Sequence, residues 1–200
     1  MSASRFLFLP LAAAVLVGCQ TQADKPLNTE YDRTETVAKG VPGGAITETE
    51  ELQATVSAID AGKRTFTLKD DQGNSRTIQA PPEMRNFNQL KVGDRVKAAV
   101  VMERVVYLRK PGEAAVDGAA GMLATSQLGA KPAMVSADTI EITALVKSLD
   151  TTQRTATLQL ADGGLHTVKV RPDVEMKPDY IGRQVVLRIT SAVAVSVEPQ

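Results

Sequence analysis

The chain has 200 residues, with 23 Lys plus Arg against 23 Asp plus Glu, so its formal net charge is zero. A neutral chain has no long-range field to gather nucleic acid or anionic lipid, and 4% aromatics with no Trp leave little to stack on bases or sugars. Charged residues at 23% and apolar residues at 43% are globular proportions and exclude wholesale disorder.

Arg5 is the one positive charge near the start, and "FLFLPLAAAVLV", Phe6 to Val17, carries none. The run is too short for a bilayer core, which needs roughly 20 apolar residues in a helix. It fits the apolar region of a secretory signal, with Gly18 as the small residue before the cut, so residues 1–18 are expected to be a signal peptide. The next residue, Cys19, is the only cysteine, so no disulfide can form within the chain. "LVGC", Leu16 to Cys19, resembles the lipobox of bacterial lipoproteins. The resemblance implies diacylglycerol on the Cys19 sulfur, cleavage before it, and acylation of the new amino terminus. Two or three acyl chains, at about 0.8 kcal/mol per buried methylene, hold a protein on a membrane almost irreversibly. Gln20 stands where an Asp marks inner-membrane retention in lipoproteins of enteric type. The resemblance therefore implies lipid anchoring in the outer membrane, on its periplasmic face.

Residues 19–49 are polar, hold Pro26, Gly40, Pro42, Gly43 and Gly44, and show no sustained periodicity. They are expected to be a disordered tether.

The rest is an internal duplication. "ATVSAIDAGKRTFTLKDDQGNSRTIQAPPEM" from Ala54 matches "ALVKSLDTTQRTATLQLADGGLHTVKVRPDV" from Ala144 at an offset of 90, and ten of the 31 positions are identical, Asp60, Arg64, Gly73 and Pro82 among them. After one deletion the offset is 89, so that Gly93 meets Gly182, Val96 meets Val185 and Val106 meets Val195. The spacing predicts repeat 1 over 50–110, a linker over 111–138 in which "AAGMLATSQL" suggests a short helix, and repeat 2 over 139–200.

Within each repeat, apolar residues alternate with period two, the pattern of half-buried strands. Five short strands are predicted. The first carries Ala54 and Val56, or Ala144 and Val146; the second carries Phe66 and Leu68, or Ala156, Leu158 and Leu160. A Gly turn leads to the third, with Ile78 or Val168, ended by Pro82 or Pro172. After a helical turn within Glu83 to Leu90, the fourth carries Val96 or Val185, and the fifth Val106 and Leu108 or Val195 and Val197. The expected fold class is all-β, two tandem small five-stranded OB-like β-barrels, because closure removes the exposed edges of a small sheet. The pattern of "V-x-x-I/L-D", "R-T-x-T-L" and the ending "AVAVSVEP" (Ala192 to Pro199) resembles proteobacterial envelope proteins built from tandem small β-barrels, and implies that fold without an activity. A more distant likeness, in strand order and the turn Lys91 to Val96, is to periplasmic copper chaperones. Their Trp and Met-x-Met ligands have no match in this sequence.

Candidate chemistry is thin. The folded part has no Cys and one His, His166, so Ser/His and Cys/His nucleophile systems have little to work with. The position of His166 is occupied by Arg76 in repeat 1, which speaks for an exposed polar place rather than a ligand. Met84 and Met176 fall on the same loop two positions out of register and read as packing residues. Asp70 and Asp71 read as turn residues, and Asp60 and Asp150 as turn caps facing Arg64 and Arg154. The expectation is a non-catalytic, membrane-anchored envelope lipoprotein with no cofactor and no metal, which binds or scaffolds an envelope protein partner. The alternative is a periplasmic carrier of a metal or small ligand.

Overall fold

The computed structural model describes residues 25–110, 112–113 and 118–199. The expected signal peptide, 1–18, and Cys19 lie outside the described residues. Among the described residues no helix is long and apolar enough to cross a membrane.

The all-β expectation holds. Ten strands run β1 (Thr29–Thr36), β2 (Gly43–Asp60), β3 (Thr65–Lys69), β4 (Ser75–Gln79), β5 (Arg95–Leu108), β6 (Gly118–Thr125), β7 (Ala133–Asp150), β8 (Thr155–Leu160), β9 (Leu165–Lys169) and β10 (Gln184–Glu198). All pairings are antiparallel, in the order β4-β3-β2-β5-β10-β7-β8-β9, with β1 added to the first half of β2 and β6 to the first half of β7. The 3-10 turns Phe87–Gln89 and Pro178–Tyr180 lie in the connections before β5 and β10.

The two closed barrels are not what forms: the sheet is open. Closure required a hairpin between the fourth and fifth predicted strands. "AAVVMERVVYL" and "VVLRITSAVAVSV" offer no Gly, Pro or Asn at which to turn. Each pair of predicted strands is therefore one continuous strand, β5 or β10, and the two pair with each other from Arg95↔Glu198 to Leu108↔Val185. The hydrogen bonds that would have closed each barrel join the two repeats instead.

Two further expectations are corrected. The disordered tether over 19–49 does not hold for Thr29–Thr36 or from Gly43 onward, which are strand. Within the linker over 111–138, "AAGMLATSQL" supplies most of strand β6 rather than a helix, and β7 begins at Ala133. β1 is exposed along its whole length, so no apolar alternation announces it. Polar cross-strand pairs hold it: the Tyr31 hydroxyl donates to Glu48 at 3.1 Å, Arg33 lies 4.0 Å from Glu48, and Arg104 on β5 reaches Glu48 at 2.7 Å.

The repeats superimpose in register as well as in sequence. β2 interrupts its pairing with β3 by a bulge between Val56 and Ala58, and β7 does the same against β8 between Val146 and Ser148. The bulges bend the sheet and raise its twist, wrapping each β3–β4 or β8–β9 hairpin over its own half. Arg64 and Arg154 both adopt a φ of 51°, left-handed for a side-chain-bearing residue.

The core of repeat 1 contains Ala54, Val56, Phe66, Leu68, Ala80, Phe87, Leu90 and Val96, and takes Val197 from β10 of the other repeat. Leu27, just ahead of β1, packs against it.

Candidate functional site

The same place in repeat 2 is not filled. A cleft of about 450 Å³ opens there, walled by β7, β8, β9 and the seam strands β5 and β10. Its lining includes Ala144, Val146, Ala156, Leu158, Val168, Val170 and Val174, with Val106 and Leu108 reaching across from β5. These are the counterparts of the repeat 1 core, including the exchanged pair, since Leu108 stands to repeat 2 as Val197 stands to repeat 1.

Three sequence differences open it. Phe66 is buried in repeat 1, tilted against Phe87 with ring centroids 6.4 Å apart, and its counterpart is Ala156. Phe87 has no aromatic counterpart, since the repeat offset puts Met176 or Lys177 in its place; the aromatic residues of the cleft wall are Tyr107 on β5 and Tyr180, the latter under the Arg183 guanidinium at 5.5 Å from its ring centre. Asp70 is replaced by Leu160. In repeat 1 the Asp70 carboxylate accepts from the Asn28 amide at 2.8 Å, which holds Leu27 over the core. Burial pushes the Asp70 carboxyl up, but the donors from Asn28, Asn74 and Gln72 outweigh it and leave the group below its ordinary range. Leu160 has no carboxylate with which to make such a tie.

The exposures follow. Leu68 is 1% exposed and Phe66 5%, whereas Val168, counterpart of the half-buried Ile78, is 41% exposed and Ile142 42%. Both belong to the cleft wall. The lining is almost entirely carbon, and its charged members are Lys169, Arg171 and Glu175. Arg171 is committed: it donates to Asp173 at 3.1 Å, to the carbonyls of Ala38 and Val41 in the β1–β2 loop and to that of Gly43 at the start of β2. Asp173 in turn accepts from the Gly40 amide at 2.9 Å, and the Arg171 guanidinium together with that amide lowers its pKa from 3.8 to about 2. Glu175 lies 3.6 Å from Lys177. Lys169 has no ion pair among the described residues.

The β1–β2 loop also roofs one end of the cleft through Pro42 and Gly43. Gly43 has a φ of 97°, and a Cβ there would overlap the Val106 carbonyl, so only glycine lets the loop pass this close to β5. Repeat 1 holds the matching β6–β7 loop with different groups: Asn86 donates to Ser126 and to the Gln127 carbonyl at 3.0 and 2.6 Å, and Lys131 reaches Asp94 at 2.5 Å. Each repeat thus clamps the other's hairpin.

The residues singled out from the sequence do not assemble into a site. His166 lies exposed on β9 opposite Leu158, Met176 lines the cleft, and Met84 packs on the core of repeat 1. Asp60 and Asp150 cap their turns, accepting from the amides of Lys63 and Gln153 at 3.0 and 2.8 Å. Arg64 and Arg154 do not pair with them; each donates to two carbonyls of the next connection, those of Pro81 and Met84 or of Arg171 and Val174. Among the described residues no three His, Cys, Asp or Glu side chains gather closely enough to hold a metal ion. The signal for the cleft is in the repeat alignment itself, where a Phe in one copy meets an Ala in the other. No protein-family model, curated protein or solved structure matches the chain.

Proposed function

We propose that the chain is a non-catalytic binding module, held at the periplasmic face of the outer membrane by acyl groups on Cys19, whose binding element is the apolar cleft of repeat 2. The placement rests on the "LVGC" lipobox and on Gln20 after it. The binding role rests on one observation: the duplicated core is plugged by Phe66 and Phe87 in one repeat and stands open, at about 450 Å³, in the other. That volume falls within the roughly 300–1,000 Å³ of small-molecule sites, and carbon walls with a few polar groups at the margin are their usual make-up. In this reading each repeat is an OB-like unit whose closing strand pair has been exchanged for the β5–β10 seam. Repeat 1 is the structural half and repeat 2 the binding half.

A neutral fluorescent naphthylamine probe tests the binding role. It brightens on entering a carbon-lined site, and the full chain should bind one equivalent, with the signal lost in Ala156→Phe. Absence of saturable binding would refute the cleft as the binding element. Cys19→Ser tests the anchor: the substituted chain should leave the membrane fraction for the soluble periplasm.

A further inference from the structure

We infer that the cleft of repeat 2 takes a single long alkyl chain, that of a fatty acid or the acyl chain of a phospholipid. The inference rests on the proposal that this cleft is the binding element, and it names the ligand class. The interior decides the tail. Its walls are mostly aliphatic side chains of five strands, and the polar members are Tyr107, Lys169, Arg171, Glu175 and Tyr180. A ligand with polar groups along its length would bury them without partners, a penalty that a chain of methylenes escapes. The repeat 1 counterpart shows what the space accepts when filled by the protein itself: Phe66, Phe87 and Leu27, all carbon side chains.

The margin leaves the head to solvent. Arg171 is held by Asp173 and three carbonyls, and Glu175 has Lys177 beside it. Lys169 follows Val168 on β9, and since Val168 and Val170 line the cleft, strand alternation turns the Lys169 side chain to the opposite face. The tail therefore lies between β8 and β10 with its head at the open margin.

The experiment uses the full chain with its bound naphthylamine probe. Caprate, laurate, myristate and palmitate are titrated as competitors, and phosphatidylglycerol vesicles in a parallel arm. Displacement by the fatty acids should tighten about threefold to fourfold per added methylene until the cleft is full. Displacement by vesicles alone would keep the ligand class and assign the phospholipid as its source. Dodecanol should displace the probe about as well as laurate, and a strict requirement for the carboxylate would overturn the reading of a ligand held by its methylenes. Ala156→Phe should abolish both. If the probe binds but neither fatty acids nor vesicles displace it, the alkyl-chain inference fails while the cleft remains a binding element. If the probe itself does not bind, the underlying proposal fails.

Discussion

Met102 on β5 and Ser191 on β10 lie directly opposite each other in the seam, and they are the same position of the two repeats, 89 residues apart. A pseudo-twofold axis therefore passes between them. The register obeys it throughout: β2 pairs with β5 from Gly43↔Tyr107, and β7 with β10 at the equivalent Ala133↔Ser196. Each repeat sends the end of its long strand into the other's core, Val197 in one direction and Leu108 in the other.

This symmetry predicts the behaviour of half the molecule. A fragment of residues 25–110 exposes the whole edge of β5, which invites pairing. It should form a dimer in which β5 meets its own copy with Met102 opposite Met102. Size-exclusion chromatography of the fragment, and crosslinking of a Met102→Cys version by a short bis-maleimide, check this. A folded monomer would show that the seam is dispensable.

Phe66→Ala should convert the first repeat towards the second. Truncation of a buried Phe costs about 3–5 kcal/mol, the spread reflecting how far the site collapses. Denaturant titration reads the loss. The naphthylamine probe should then find a second, weaker site in repeat 1.

The Arg64 side chain donates to the carbonyls of Pro81 and Met84 at 3.4 and 3.0 Å, from a backbone that sits at positive φ. Arg64→Ala loses charge-assisted hydrogen bonds of roughly 1.5–3 kcal/mol and keeps the backbone strain. Arg64→Gly loses the same bonds but relieves the strain, so it should be the more stable of the two variants in thermal unfolding. Arg154 should show the same order.

The Arg171–Asp173 clamp should open in acid. The Asp173 carboxyl sits lower in the folded chain, about 2, than its ordinary 3.8. The stability it contributes is therefore present above about pH 4 and lost as pH falls through 4 towards 2. Amide exchange of Gly40 and its neighbours should accelerate over that window before the seam strands do, and Asp173→Asn should remove the dependence. Asp70, also lowered, acts in the same direction at Asn28.

Gly43→Ala should displace the β1–β2 loop from β5, since its Cβ has no room against the Val106 carbonyl and its φ is 97°. A loss of about 1–3 kcal/mol is expected from the strain. The probe should exchange faster in this variant, because the loop roofs one end of the cleft.

The alternation of apolar residues, the Gly turns at Gly73 and Gly163 and the offset of 90 residues are enough to read the all-β class, the duplication and the hairpins β3–β4 and β8–β9 from the sequence alone. They are local signals, carried by side-chain periodicity and backbone conformation. β1 and β6 escape that reading because neither buries an apolar face: β1 is held by Glu48 and its partners, and β6 is small and exposed. The partner of β5 is decided only in three dimensions. A period-two pattern says which face of a strand is buried, but backbone amides and carbonyls pair equally well with any extended neighbour, so alternation cannot choose between a closed barrel and a shared seam. The cleft is likewise a tertiary property. Ala156 is visible in the sequence as a smaller residue than Phe66, yet whether its loss of volume is filled depends on Leu160, Tyr180 and Leu108, which come from three other places along the chain.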